Sequence, residues 1–289
     1  KVYNSAEQKT ESEGKGNIFR AAAKVAVAHS EALDAGKVPF MLGLKFKLFD
    51  RLVYAKLRER LGGRVRFAVS GSAPLSHYLG HFYRSLGVKI LEGYGLTETT
   101  APVCVNLPDH FKIGTVGPPL PGHTVRLSAD GEIEVKGIDV FKEYWNNPEA
   151  TSAVFTEDGF FRTGDLGSID SEGYLTITGR KKEIIVTAGG KNVSPAALED
   201  PIRANTIIGQ VVVVGDQKPF IAALVTLDSE MLPAWLTNHG EDPNMSLEEA
   251  AAHPKVLAEV QSAIDAGNAQ VSRAESIRKF VILPTEFIE

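Results

Sequence analysis

The chain has 289 residues, 43% hydrophobic and 23% charged, a balance that fits a globular protein long enough for two domains. A net charge of −5 argues against a nucleic-acid surface, and a single cysteine excludes both an internal disulfide and a multi-cysteine metal centre. No apolar run approaches a membrane span and no signal peptide is visible, so the expected setting is a reducing cytoplasm.

The chain opens on "KVYNSAEQKTESEGKGN" without an initiator methionine, and we expect it to be a piece of something longer. From Ile18 to about Ala35, apolar residues at helical spacing among many alanines predict a helix. A second helical stretch runs from Phe40 and closes on Gly62 and Gly63. The segment "RVRFAVSGSAPL" reads as a short strand, Val65 to Val69, breaking into a loop of small residues. A helix over "SHYLGHFYRSLG" and a strand over "VKILEGYG" follow, giving the strand–helix–strand rhythm of a parallel sheet. In such sheets ligands sit beyond the carboxyl ends of the strands, where "GSAPL" (71–75) and "YGLTE" (94–98) both fall. Cys104, within the apolar "APVCVN", reads as a small core residue rather than a nucleophile.

After "KIGTVGPPLPG" two hairpins are predicted, one with an Asp130–Gly131 turn and one over 167–179, with a short helix at "NNPEATSAVF". From Arg180 onward a third unit is predicted. It has a strand (Glu183 to Thr187), a glycine loop, a proline-started helix (Pro195 to Ala204) and paired strands "QVVVVGD" and "PFIAALVTLD". Two further helices and "KFVIL" close it. The fold class is therefore α/β. Part of a doubly wound domain covers 1–113, a β-rich subdomain 114–181, and a small α+β domain 182–289, with "GRKKE" as the joint.

The stretch "GYGLTETT" places an aromatic ring, hydroxyls and a carboxylate at the end of a strand. A ring, a hydroxyl and a carboxylate suit a purine, a phosphate and a magnesium ion. The plainer alternative is a turn in which Thr97 caps a helix and Glu98 stabilises its first turn.

Three stretches occur in order: "YGLTE" (94–98), "FFRTGDLG" (160–167) and "GRKKEIIVTAGGKNVSP" (179–195). Together they resemble the adenylate-forming superfamily of acyl-CoA synthetases, adenylation domains and luciferases. "GSAPL", "EGYGLTET" and "KIGTVGPPLPG" resemble in particular the long-chain fatty acyl-CoA synthetases, including actinobacterial ones. Such enzymes activate a carboxylic acid with ATP, release pyrophosphate, and pass the acyl group from adenylate to coenzyme A.

The resemblance implies a role for each candidate residue. Tyr94 offers its face to adenine, with Gly71, Ser72, Ala73 and Pro74 on the other face; otherwise it is a core aromatic. Thr97 donates to a phosphate oxygen, and Glu98 is a hard oxygen ligand for Mg2+. Asp165, read as lying in a turn that pushes its carboxylate outward, accepts the ribose hydroxyls, and Arg180 donates to the ribose or a phosphate. Gly95 adjoins the acyl pocket and leaves room for a long tail, or merely supplies a positive φ. Gly189 and Gly190 let the pantetheine arm of coenzyme A pass, with Lys191 reaching a phosphate; by themselves they read as a hairpin turn. Lys182 is the hinge of a mobile C-terminal domain, or else part of a solvated charge run. The phosphate-cradling loop should precede Lys1, and the adenylating lysine should follow Glu289, so this portion is expected to be inactive by itself. The alternatives are a fatty acyl-AMP ligase or adenylation domain loading a carrier protein, or a non-catalytic nucleotide-binding module. Chain-length preference, oligomeric state and peripheral membrane contact stay open.

Overall fold

The structure, a computed structural model, describes residues 2–285 and 287. It divides into two compact units, one of Lys1–Ala21 with Glu183–Glu289, the other of Ala22–Lys182. No helix among the described residues is long and apolar enough to cross a membrane.

The first unit begins with a helix that the sequence reading left unassigned, α1 (Val2–Ser12). Few of its residues are apolar and only Ala6 is buried, so hydrophobic spacing gives little signal there. It is held from a distance instead: the Asn238 amide donates to the Gln8 side chain at 2.7 Å and to the Gln8 carbonyl at 3.1 Å.

The second unit takes up α2 (Gly16–Asp34) from Ala22 onward and carries α3 (Phe40–Phe49), a π turn (Asp50–Tyr54) and α4 (Ala55–Arg60). Tyr54 is fully buried and its hydroxyl donates to the Ala22 carbonyl at 2.7 Å, satisfying a polar tip that would otherwise be costly to bury. Next come β1 (Phe67–Ser70), α5 (His77–Ser85), β2 (Lys89–Leu96) and β3 (Ala101–Val105), in a sheet of order β1-β2-β3. The pairing of β1 with β2 is parallel, as the strand–helix–strand rhythm predicts; β3 folds back antiparallel on β2, which the rhythm does not predict. Strand β1 runs from Phe67 rather than Val65.

A four-stranded antiparallel sheet follows, of β4 (His123–Leu127), β5 (Glu132–Gly137), β6 (Phe161–Ile169) and β7 (Leu175–Arg180), with α6 (Pro148–Val154) inserted before β6. Asn147 caps α6 by accepting from the Ala150 amide at 3.0 Å, and Pro148 fills its first position. Val103 and Cys104 of β3 share one core with Ile133, Val135 and Leu175 of this sheet, and Tyr94 packs against it. Burying each such aliphatic side chain stabilises by about 1.5–3 kcal/mol, which fixes the end of β2 against β5 and β7. Cys104 is fully buried, and burial pushes its thiol up to about 12, as a core residue requires.

The rest of the first unit holds β8 (Ile185–Val186), β9 (Asn192–Val193), α7 (Pro195–Arg203), β10 (Ile208–Val214), β11 (Ile221–Leu227), α8 (Leu232–Asn238), α9 (Leu247–Ala252), α10 (Pro254–Asn268) and β12 (Ile277–Ile282). Its sheet has order β10-β11-β12, antiparallel then parallel. Two readings are corrected here. The strand expected over Glu183–Thr187 shrinks to Ile185–Val186, because 181–183 wind into a 3-10 turn, and three helices stand where two were expected.

Candidate nucleotide site

The site is built where β2 ends against β6 and β7. The Tyr94 O–H donates to Asp165 Oδ2 at 2.6 Å, joining residues 71 positions apart. Asp165 faces Arg180 across the β6–β7 ladder, and Arg180 Nε lies 3.1 Å from Asp165 Oδ1. Burial, and then the Asp165 carboxylate, hold the Tyr94 phenol well above its ordinary range, so it stays a donor. The Asp165 amide donates to Thr163 Oγ1 at 3.1 Å, and the Thr163 hydroxyl donates to the Ile133 carbonyl at 2.8 Å. Thr163 thus fixes the strand beneath the carboxylate. It stands in "FFRTGDLG", where no local signal marks this role.

This geometry corrects one expectation. Asp165 does not sit in a turn with its carboxylate pushed outward; it lies within β6 and is only 4% exposed. Thr-Gly-Asp reads locally as a turn, but a strand claims it because Glu132 accepts from the Gly164 amide at 3.0 Å and the Arg180 ladder follows. A carboxylate has about four lone-pair positions, and Tyr94 and Arg180 occupy two, so two remain for a ligand's hydroxyls. The Arg180 side chain is 60% exposed, so its guanidinium can reach a ligand.

The loop Gly71–Ser72–Ala73–Pro74 is exposed and lies at the end of β1, beside the end of β2. Ser72 takes a φ of 66°, and the Leu75 amide donates to Glu92 Oε2 at 3.1 Å, pinning the loop's far end to β2. Burial raises the Glu92 carboxyl above the usual range.

Thr97, Glu98 and Thr99 form a single 3-10 turn, not the start of a helix. The cap expected of Thr97 is supplied by Thr99, whose Oγ1 accepts from the Leu96 amide at 2.9 Å. Thr97 is left exposed. Glu98 is half-buried, and its Oε1 accepts from the Tyr144 hydroxyl at 3.0 Å. Burial and then Glu98 raise the Tyr144 phenol, so it too remains a donor. Nothing in the isolated sequence points to Tyr144, which lies in the loop before α6.

Gly95 does not take a positive φ, which overturns that alternative. It is a glycine because β3 comes close at a bulge: a Cβ there would lie 2.1 Å from the Ala101 carbonyl oxygen.

At the end of this unit, Lys181 Nζ lies 2.7 Å from Asp130 Oδ2 and 2.8 Å from Glu132 Oε2. Lys182 follows, exposed, and Glu183 belongs to the other unit. In that unit Gly189, Gly190 and Lys191 form the exposed tip of the β8–β9 hairpin. Gly190 takes a φ of 76°, and Lys191 Nζ lies 3.5 Å from Glu275 Oε1.

A family model described as AMP-binding enzyme matches residues 21–145, and one described as AMP-binding enzyme C-terminal domain matches residues 182–287. The chain belongs to the AMP-binding enzyme family. Within that family it is 54% identical over 289 residues to the long-chain-fatty-acid–CoA ligase FadD15 of Mycobacterium bovis, covering 100% of this chain and 48% of the relative. It thus spans about half the length of the curated relatives it matches. Among solved structures it is similar to ATP-bound MatB from Rhodopseudomonas palustris, with a TM-score of 0.57 and 32% identity over 80% of this chain and 45% of that one. It also shares the fold of the O-succinylbenzoate coenzyme A synthetase MenE from Bacillus subtilis in complex with AMP. There the TM-score is 0.61 at 24% identity, over 80% of this chain and 46% of that one.

Proposed function

We propose that the chain is the nucleotide-binding and C-terminal portion of an AMP-forming long-chain fatty acyl-CoA synthetase. The observation that carries this reading is the buried Asp165 carboxylate held between Tyr94 and Arg180, with two acceptor positions to spare. The similarity to a long-chain-fatty-acid–CoA ligase and to an ATP-bound enzyme supports it.

Adenine stacks on Tyr94 with the loop 71–74 on its other face, and the ribose hydroxyls donate to Asp165. Tyr94 keeps the carboxylate oriented, and Arg180 adds a guanidinium to the ribose or phosphate. Thr97 donates to a phosphate oxygen. Glu98 fits a magnesium ion: it offers hard carboxylate oxygens in a half-buried position, oriented by Tyr144. A magnesium ion held there would supply positive charge to offset that of the phosphates. Gly95 borders the acyl chain, and Gly189, Gly190 and Lys191 serve the pantetheine arm and a phosphate of coenzyme A.

The three-part division 1–113, 114–181 and 182–289 belongs to the same proposal, with Lys182 as the hinge. It is supported by the tethering of Lys181 to Asp130 and Glu132 and by the break between compact units at Glu183. The reaction is tested by supplying the complete polypeptide with palmitate, ATP and either coenzyme A or an acyl carrier protein. AMP and palmitoyl-CoA as products are the expected result. Release of ADP would overturn the AMP-forming reading. Transfer to the carrier protein alone would assign it to the acyl-AMP ligases.

A further inference from the structure

Outside the nucleotide site, one group of metal-capable side chains converges among the described residues. His77 opens α5 and His81 stands one turn further on, so both project from one helix face. Their ring centroids are 4.4 Å apart at 62°. Glu31 comes from α2, and one donor atom from each of the three residues lies within 4.8 Å of the others. Glu31 and His77 are exposed, whereas His81 is buried at 2% exposure.

The buried member is held in place. His81 Nδ1 lies 2.9 Å from Ser30 Oγ, which accepts from Arg84 Nε at 2.7 Å. Arg84 also donates to the Ser30 carbonyl and pairs with Asp34 Oδ1 at 2.6 Å. A hydrogen bond on one ring nitrogen sets the ring's orientation and tautomer, as the outer partners of metal-bound histidines do.

Two imidazoles and one carboxylate are not a magnesium set, which is all oxygen and mostly water. They are the set of a borderline-soft ion such as zinc, cobalt(II) or nickel(II), with a fourth position for water. Around a tetrahedral ion with bonds of about 2.0–2.1 Å, donor atoms stand about 3.4 Å apart. The closing from 4.8 Å falls to the two exposed side chains, Glu31 and His77.

We propose that Glu31, His77 and His81 form a divalent transition-metal site of the zinc class, joining α2 to the first two turns of α5. The proposal stands apart from the nucleotide reading. Its position gives it a consequence there all the same: His77 follows the loop 71–74 by three residues, so an ion on it would restrain that loop's exit.

The test is calorimetric titration of ZnCl2 into the metal-free purified protein at neutral pH, with CoCl2 as a second probe whose visible bands report tetrahedral coordination. One equivalent of zinc is expected, and the cobalt bands should be those of a tetrahedral site. His77→Ala and Glu31→Gln change exposed side chains and should each weaken zinc binding by roughly tenfold or more, a loss comparable to that from disturbing an established metal site. His110→Ala, elsewhere on the surface, should leave it unchanged. Absence of stoichiometric binding would overturn the proposal. So would zinc affinity that survives either His77→Ala or Glu31→Gln, or octahedral cobalt spectra.

Discussion

Replacing Asp165 probes the site at its most loaded atom pair. In Asp165→Asn the side chain keeps its shape, and an amide oxygen can still accept from Tyr94, but the charge is gone. If the ribose hydroxyls donate to this carboxylate, both charge-assisted bonds are lost: one oxygen becomes an NH2 donor and the other accepts only as a neutral group. Charge-assisted bonds contribute about 1.5–3 kcal/mol against about 1 for neutral ones, so AMP and ATP should bind about 2–3 kcal/mol more weakly. That is roughly a 30- to 150-fold rise in Kd. Stability should change little, since the Arg180 partner is 60% exposed and such a pair is worth under about 1 kcal/mol. Asp165→Ala is different. It removes the Asp165 acceptor of the half-buried Tyr94 hydroxyl and leaves it only Thr163, at a cost of about 1–3 kcal/mol, so Tm should fall by several degrees as well. Calorimetry with AMP and thermal melts on the complete polypeptide measure both. A folded Asp165→Asn protein that binds AMP with unchanged affinity would refute the ribose assignment.

Other perturbations follow from single contacts. Gly95→Ala places a Cβ 2.1 Å from the Ala101 carbonyl oxygen, so it should destabilise by about 1–3 kcal/mol or more; a melt unchanged from the parent would contradict the close approach. Lys182→Pro in the complete enzyme should leave acyl-adenylate formation measurable while strongly slowing thioester formation; single-turnover assays showing equal loss in both steps, or none, would count against the hinge. Cys104, with its thiol pushed up to about 12 and its side chain fully buried, should resist alkylation at pH 8 until the protein is unfolded; rapid native labelling would show the core assignment to be wrong.

What could be read from the residues beforehand was mostly local. The β4–β5 hairpin announces itself through Asp130–Gly131 between alternating strands, and α5 and β2 through their apolar spacing. What could not be read was settled by distant partners. Helix α1 is polar along most of its length and depends on Asn238, far along the chain. The strand identity of Asp165 depends on Glu132 and Arg180, which turn an apparent Thr-Gly-Asp turn into a ladder position. Tyr94, Asp165 and Arg180 were each legible as candidates, but no spacing rule shows that a hydroxyl and a carboxylate 71 positions apart share a hydrogen bond. Tyr144, which orients Glu98, carried no local signal, because only the fold brings its loop to the end of β2.

The most direct measurement is a crystal structure of the complete polypeptide with a non-hydrolysable palmitoyl-adenylate analogue. The account predicts adenine stacked on Tyr94 against the loop 71–74, both ribose hydroxyls within hydrogen-bond distance of Asp165, and the acyl chain leaving past Gly95. Adenine bound elsewhere, with the Asp165 carboxylate contacting only Tyr94 and Arg180, would contradict it.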